Sequence, residues 1–308
     1  MPDDTRSTRA GLAYGVAAYA LWGAMPVYFL QMRPAGPFEI VGWRILFSLV
    51  FCALLIAVTR SWGRFRAVLR DRRAALLFAL AGALVYVNWT IYVGATTTDH
   101  VVEAALGYFI NPIVTVLLGV VVLRERLRPG QWAAVALSAV AVVVLGVEAG
   151  GPPLISLGLA ASFGLYGLVK KQVGARVDPL SGLTLETVWL APVAVVQLLV
   201  LGLVGPGLAF GTAGWYPTTM LASAGVGTAV PLLLFAASTR RLPLSVAGFL
   251  QYLAPILQFG TGVFLLHEPM SPGRWAGFGL VWAALVLLIG ETLLHGGLRR
   301  RTVPAPAV

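Results

Sequence analysis

The stretch HVVEAALGYFINPIVTVLLGVVVL, residues 100–123, decides the fold of this chain. Glu103 is its only Asp, Glu, Lys or Arg residue. A helix needs about 20 apolar residues to cross the roughly 30 Å hydrocarbon core of a bilayer. The apolar residues also fail to alternate with polar ones, as they would in a strand of a membrane barrel. The stretch therefore predicts a transmembrane helix.

Similar stretches fill the rest of the chain. The 308 residues are 58% hydrophobic and only 11% charged, whereas soluble domains carry roughly 25% charged residues. We therefore expect an all-α integral membrane protein with ten transmembrane helices, the first of them too long to be a cleaved signal peptide. The predicted spans are residues 11–31, 38–59, 74–95, 100–123, 131–147, 153–170, 180–203, 216–238, 243–266 and 273–294.

The basic residues give the expected orientation. Alternate loops, counted from the N-terminus, hold 19 of the 22 Lys and Arg residues, while the opposite loops hold Arg33 and Arg274. Positive residues collect in cytoplasmic loops, so both termini are predicted to be cytoplasmic. The same distribution explains the net charge of +10 by topology and excludes a nucleic-acid partner.

An internal repeat relates the two halves of the sequence. At an offset of 143 residues, the identical pairs are Pro112 and Pro255, Gly119 and Gly262, Val120 and Val263, Glu125 and Glu268, Pro129 and Pro272, Gly130 and Gly273, and Trp132 and Trp275. Each half contains five predicted spans, an odd number, so the halves should insert with opposite orientation. Inverted repeats of this kind are typical of transporters.

The repeat also sets the predicted boundaries. We expect an N-terminal cytoplasmic tail at 1–10 and a C-terminal one at 295–308. The first five-helix repeat should cover 11–147 and the second, inverted repeat 153–294. A Gly/Pro-rich link from Glu148 to Pro153 joins them.

Four motifs carry a resemblance to a known family. They are GWRILFS at 42–48, EAALGYFINP at 103–112, RERLRP at 124–129 and GFLQYLAP at 248–255. With them, the chain resembles the EamA-type branch of the drug/metabolite transporter superfamily, and most closely the RarD-type proteins. The resemblance implies ten helices in two inverted repeats, a place in the bacterial inner membrane, and movement of small metabolites or drugs, usually outward. It implies no cofactor.

The two matched prolines predict a solute site. Pro112 and Pro255 lie about 12 residues, or roughly 18 Å, into their spans, near the bilayer midplane. A proline frees the carbonyl four residues before it, and such backbone lines cavities in transporters. The residues predicted to line this cavity are Trp22, Asn88, Tyr92, Tyr108, Asn111, Gln251 and Tyr252. Ordinary proline kinks and packed aromatic residues are the alternative.

The charged residues Arg44, Glu103 and Glu186 lie within predicted spans, while Glu39 lies at the mouth of one. Because a charge at a helix centre costs on the order of 3 kcal/mol, such residues usually face the bundle interior and pair with one another. Arg44 and Glu103 have similar predicted depths and are expected to form an ion pair that either fixes the packing or couples protons to transport. Glu186, on the other side, is either a proton site or extends to the membrane surface.

Other chemistry finds no support in the sequence. There is no Walker-type phosphate loop and no Gly-x-Ser-x-Gly nucleophile motif, and the three histidines are far apart at span ends. We therefore expect no metal site and no enzyme activity. The sequence favours a secondary transporter of small molecules, in contact with membrane lipids and with protons as a candidate coupling ion. A membrane-embedded sensor or scaffold and a lipid-modifying enzyme are the alternatives.

Overall fold

The computed structural model describes residues 2–124, 127–173, 177–239, 241, 242, 246 and 250–301, and their side chains except those of 2–8, 123 and 292–301. These residues form helices and connecting turns, with no strand among them. The helices are α1 (Pro2–Gly23), α2 (Met25–Leu30), α3 (Pro37–Val58), α4 (Trp62–Arg70), α5 (Arg72–Thr97), α6 (Val101–Leu123), α7 (Pro129–Ala149), α8 (Leu154–Val173), α9 (Pro179–Leu203), α10 (Trp215–Thr239), α11 (Leu253–Gly260, continued by a π-turn Thr261–Leu265) and α12 (Pro272–Arg301).

Eight of these helices are long and apolar enough to cross a membrane. They are α3, α5, α6, α7, α8, α9, α10 and the Pro272–Glu291 part of α12, and they correspond to the second through eighth and the tenth predicted spans. The chain is therefore an integral membrane protein. The count of ten stays a prediction.

The first and ninth predicted spans have a different form. Helix α1 begins at Pro2, within the predicted tail, and α2 follows it after a break at Ala24. In the ninth span, 243–266, a continuous helix is described over Leu253–Leu265. Val246 and Leu250 are also helical, and residues 243–245 and 247–249 lie outside the described part. At the C-terminal end of the chain, helix α12 continues to Arg301, which lies in the predicted C-terminal tail.

Local sequence signals explain where the helices begin and end. Proline stands at the start of α3, α7 and α9, where its missing N–H is not needed. The Asp71 carboxylate caps α5 by accepting the N–H groups of Arg73 and Ala74, at 3.0 and 3.1 Å, and Asp178 caps α9. Arg124, with φ 55°, ends α6 in the left-handed conformation.

The packing of the helices has an internal regularity. In the most extensive contacts, helix α3 packs on α9 and α10, α5 on α8 and α9, α6 on α8 and α11, α1 on α10 and α11, and α7 on α12. This set of pairs is unchanged when each span is exchanged with the one five spans further along the chain. An internal repeat predicts that result. Inversion of the two halves stays a prediction.

Two large apolar clusters form most of the interior. One, around Phe29, Ile45 and Trp89, joins α2, α3 and α5 to α8, α9 and α10. The other, around Phe109, Phe259 and Phe278, joins α6 and α7 to α11 and α12. The polar residues of the candidate site lie mainly against the first cluster.

Candidate functional site

Arg44 is the most unusual residue of the interior. It is the eighth residue of α3 and is only 6% exposed. Its Nε donates to the Thr228 hydroxyl of α10 at 2.7 Å, and its guanidinium lies over the Trp89 ring of α5, 4.1 Å from the centroid. The Phe29 ring is at 5.4 Å. The Nη1 atom is buried and has no hydrogen-bond partner.

The predicted ion pair between Arg44 and Glu103 is wrong in this structure. Glu103 Oε1 instead lies 3.8 Å from Arg274 Nη2, and both side chains are about a quarter exposed. Helix α3 faces α5, α9 and α10, while the first turn of α6 faces the start of α12. Similar depth along the membrane normal therefore did not make Arg44 and Glu103 neighbours.

Asn88, Tyr92 and Tyr108, three of the residues predicted to line the cavity, come together. The Asn88 amide donates to the Leu159 carbonyl at 3.2 Å and to the Ser162 hydroxyl at 3.0 Å. Its oxygen accepts the Tyr108 hydroxyl at 3.1 Å. The Tyr92 and Tyr108 rings meet edge to face, 5.6 Å apart, whereas the buried Tyr92 hydroxyl has no partner.

The other predicted lining residues have varied surroundings. Trp22 packs against the first apolar cluster, and its ring contacts the rings of Tyr19 and Phe235. Asn111 turns its side-chain oxygen toward Gly164 of α8, where that oxygen is buried and without a hydrogen-bond partner. Tyr252 packs against the second apolar cluster, and Gln251 lies in the turn before α11. A common cavity for all seven residues stays a prediction.

The two prolines are not equivalent breaks. Helix α6 continues through Pro112 from Val101 to Leu123, so this proline does not end its helix. Pro255 is the third residue of α11, where a missing N–H is tolerated. The irregular segment in this span is instead the π-turn Thr261–Leu265, a feature often found at functional sites.

Glu186 occupies a second charged centre. It is 2% exposed, and its carboxylate accepts a hydrogen bond from Lys170 Nζ at 2.7 Å and one from the Tyr166 hydroxyl at 3.3 Å. The Lys170 ammonium also lies 4.8 Å from the Phe78 ring centroid. Glu186 is therefore paired within the bundle and does not extend to the surface.

Sequence reasoning missed Lys170 because the predicted span ended at this residue. Tyr166 and Lys170 are four residues apart on α8 and thus share a face. Both point to Glu186. That spacing was the available signal.

Arg44 and Glu186 occupy equivalent positions in the two halves. Each is the eighth residue of a helix that begins with proline, Pro37 in α3 and Pro179 in α9. These helices are the second and seventh predicted spans. The equivalent places carry opposite charges, and only the negative one has a counter-charge among the residues whose side chains the structure describes.

A cluster of charges surrounds the start of α6. The Glu268 carboxylate accepts the Val101 and Val102 N–H groups at 2.6 and 3.0 Å. Burial raises the pKa of Glu268, although these two hydrogen bonds and the nearby His100 and Arg274 act in the opposite direction. We interpret this cluster as a cap that fixes the helix ends.

The fold and the buried polar centre define a multi-span membrane protein with charged groups held inside an apolar bundle. The profile of the EamA-like transporter family matches residues 9–147 and again 153–290. The chain belongs to this family, within the drug/metabolite transporter superfamily, and is RarD-like.

Curated relatives match almost the whole chain. Protein RarD of Streptomyces exfoliatus is 46% identical over 97% of this chain and 94% of its own length. Protein RarD of Escherichia coli K12 is 35% identical, with 94% and 97% covered. An uncharacterized transporter of Vibrio cholerae is 36% identical, with 98% and 99% covered. This chain is thus an integral bacterial membrane protein of a transporter family.

One crystal structure of a protein has a similar fold. It is 22% identical, with a TM-score of 0.56 over 97% of this chain and 99% of that chain. At this identity the similarity supports the fold alone.

Proposed function

We propose that this protein is a secondary transporter that exports small metabolites or drugs across the bacterial inner membrane by alternating access. One observation carries the proposal: Arg44, Asn88 and Tyr92 are buried inside a bundle of apolar helices, and two of them keep unused hydrogen-bonding atoms. Polar groups inside a membrane bundle are expensive and typically mark a solute or ion pathway.

The symmetry of the packing supports alternating access. The most extensive helix contacts are unchanged by exchange of the two halves, and transporters of this kind rock one repeat or bundle against another around a central site. Aromatic residues around that site, among them Trp89 and Tyr108, offer surfaces for an apolar or aromatic solute.

Solute exchange in proteoliposomes tests the proposal. Vesicles that contain the purified protein are loaded with one unlabelled solute from a panel of amino acids, organic acids, nucleosides and small cationic drugs. The labelled solute is then added outside. We expect saturable accumulation of at least one solute, absent from protein-free vesicles. Absence of exchange for the entire panel would count against transport.

Protons are the coupling ion that we propose, with Glu186 as the site. Its carboxylate is buried between Lys170 and Tyr166, so a change in its protonation would alter the charge balance of the Lys170–Glu186 bridge that joins α8 to α9. Glu186→Gln should still exchange solute but lose the response to an imposed pH gradient.

A control variant makes that test specific. Asp99→Asn removes a carboxylate that is 69% exposed and lies 3.7 Å from Arg33 at the surface. It should keep the full pH-gradient response. If Glu186→Gln keeps it too, Glu186 is not the coupling site.

A further inference from the structure

We infer that Arg44 is the anion-binding residue of the solute site and that the transported solutes carry a carboxylate. The inference rests on the proposed transport function and names its substrate class. It begins with charge. Arg44 is buried at a depth of roughly 10 Å from the start of α3, and among the residues whose side chains the structure describes, no carboxylate lies within ion-pairing distance of it.

The three acidic residues on the helices of the site, Glu39, Glu103 and Glu186, have other partners. Glu39 accepts the N–H groups of Ala209 and Phe210 at 3.0 and 2.9 Å. Glu103 faces Arg274, and Glu186 binds Lys170. A guanidinium cannot shed its proton at physiological pH, so the charge of Arg44 persists and is left for a ligand to neutralise.

The guanidinium is also held in a fixed orientation. Thr228 donates its own proton to the Ala224 carbonyl at 2.8 Å, which leaves its oxygen lone pair for Arg44 Nε. Stacking on Trp89 fixes the plane. The Nε side of the guanidinium is thus anchored, while Nη1 remains without a hydrogen-bond partner. An oriented fork of this kind matches the two oxygens of a carboxylate.

A second free donor lies close by. The Tyr92 hydroxyl is buried and unpartnered, and Tyr92 lies within electrostatic reach of Arg44. The hydroxyls of Tyr28 and Tyr108 are taken by Ser223 and Asn88. An anion at Nη1 would satisfy the guanidinium, and the Tyr92 hydroxyl is available to donate to the same ligand.

The side chains around Arg44 narrow the class of solute further. The aromatic rings around Arg44 are those of Phe29 and Trp89, with Tyr92 against Phe29. These rings suit a solute whose remaining part is apolar or aromatic. Lys170, the basic residue of the second centre, is held by Glu186. One cation with apolar walls fits a monocarboxylate better than a phosphate ester, whose two charges would require more positive groups.

Ligand-dependent thermal stability of the full chain in nanodiscs tests the inference. The probes are phenylacetate and N-acetyl-leucine, each compared with its uncharged amide, and phenyl phosphate as the dianion. We expect the carboxylates to raise the melting temperature and the amides to leave it unchanged. Equal effects of acid and amide, a preference for phenyl phosphate, or no effect of either carboxylate would overturn the inference.

Variants assign the effect to Arg44. Arg44→Gln should weaken carboxylate binding at least about tenfold, since a charge-assisted hydrogen bond is lost. Arg44→Lys keeps the charge and serves as the second variant in case Arg44→Gln folds poorly. It should bind the carboxylates more weakly than the wild type. Arg33→Gln, which changes a half-exposed arginine, should bind like the wild type. Undiminished carboxylate binding by Arg44→Lys and Arg44→Gln would overturn the assignment.

The two proposals fail in different ways. If carboxylates bind through Arg44 but no solute is exchanged in proteoliposomes, the transport function is wrong and the anion site stands. If exchange occurs only for uncharged or cationic solutes, and Arg44→Gln exchanges them as the wild type does, transport stands and the substrate class is wrong.

Discussion

Two neighbouring tyrosines show how differently single hydroxyls serve this protein. Tyr92 and Tyr108 lie on α5 and α6 with their rings in edge-to-face contact. The Tyr108 hydroxyl donates to Asn88, whereas the buried Tyr92 hydroxyl has no partner. A buried hydroxyl without a hydrogen bond costs free energy, so the Tyr92 hydroxyl is better explained by ligand binding than by stability.

This contrast gives a prediction for two matched variants. Tyr92→Phe removes an unsatisfied group, so the melting temperature should stay the same or rise, while exchange in proteoliposomes should weaken. Tyr108→Phe leaves the Asn88 oxygen without its donor and should lower stability by about 0.5 to 1.5 kcal/mol. Thermal unfolding in detergent, read beside exchange rates, checks both. A clear loss of stability in Tyr92→Phe would contradict this explanation.

Residue spacing predicted part of the site and missed another part for a physical reason. Asn88 and Tyr92 share a face because they are four residues apart, and they do meet Tyr108. Arg44 and Glu103 were paired by depth alone. Depth gives one coordinate, and neither the rotation of α3 about its axis nor the identity of its neighbours follows from it.

At the scale of elements, the crossing of α3 and α10 positions Arg44. Gly225 of α10 lies against the backbone of Phe47, so that an added Cβ would collide with main-chain atoms. Thr228, the anchor of Arg44, is three residues further along the same helix. The close approach of the two helices therefore brings the anchor within reach of the guanidinium.

Gly225→Ala should separate α3 from α10, because backbone atoms cannot yield as a flexible side chain can. We expect a lower melting temperature and weaker solute exchange. Gly167→Ala on α8, where an added Cβ meets nothing within 4 Å, is the control and should be neutral or slightly stabilising. Equal melting temperatures of the two variants would show that the crossing tolerates a side chain.

The cap on α6 has a pH dependence whose sign follows from burial. The pKa of Glu268 is raised in the folded protein above its ordinary value of about 4.3. Its protonation therefore favours the folded state, and its contribution to stability is complete below pH 4.3 and declines as the pH rises through the raised pKa.

Thermal unfolding of the wild type and of Glu268→Gln, measured from pH 4 to pH 8, checks this dependence. The melting temperature of the wild type, relative to the variant, should fall with rising pH. His100 and Arg274 are common to both proteins, so the difference reports on Glu268. A difference that grows with pH would mean that the N–H groups of Val101 and Val102 outweigh the burial.

Composition predicted the elements better than their interruptions. Apolar runs between arginine-bearing loops identified eight helices within a few residues. The break at Ala24 and the π-turn at Thr261–Leu265 have no such signal, since their residues are as apolar as those of the helices around them. Pro112, the expected break, lies within an unbroken helix.

At the scale of the whole molecule, the second spans of the two halves carry opposite charges at the same distance from their helix starts. Arg44 and Glu186 each lie seven residues beyond a helix-starting proline. If the halves are inverted, the two charges lie at similar depths below opposite membrane surfaces. In that arrangement, a solute anion at Arg44 and a proton at Glu186 would bind near opposite membrane surfaces.

The number of crossings is the property of the whole molecule on which this arrangement depends, and the two termini report it. In the ninth span, the continuous helix Leu253–Leu265 extends about 20 Å at 1.5 Å per residue. It is shorter than the roughly 30 Å hydrocarbon core, so the span crosses only if the residues before it, of which Val246 and Leu250 are helical, continue the crossing. The first is interrupted at Ala24.

We predict ten crossings and two cytoplasmic termini, because 19 of the 22 basic residues fall in the alternate loops that include both ends. Reporter fusions after Arg73 and after Arg128 should read as cytoplasmic whether or not the first and ninth spans cross, so they serve as controls. Fusions at the N-terminus and after Arg301 decide the question. If the first span does not cross the membrane, the N-terminal reporter lies outside the cytoplasm. If the ninth span does not cross, the C-terminal reporter lies outside the cytoplasm. Cytoplasmic readings at both ends give ten crossings and, with five in each half, require that the halves be inverted.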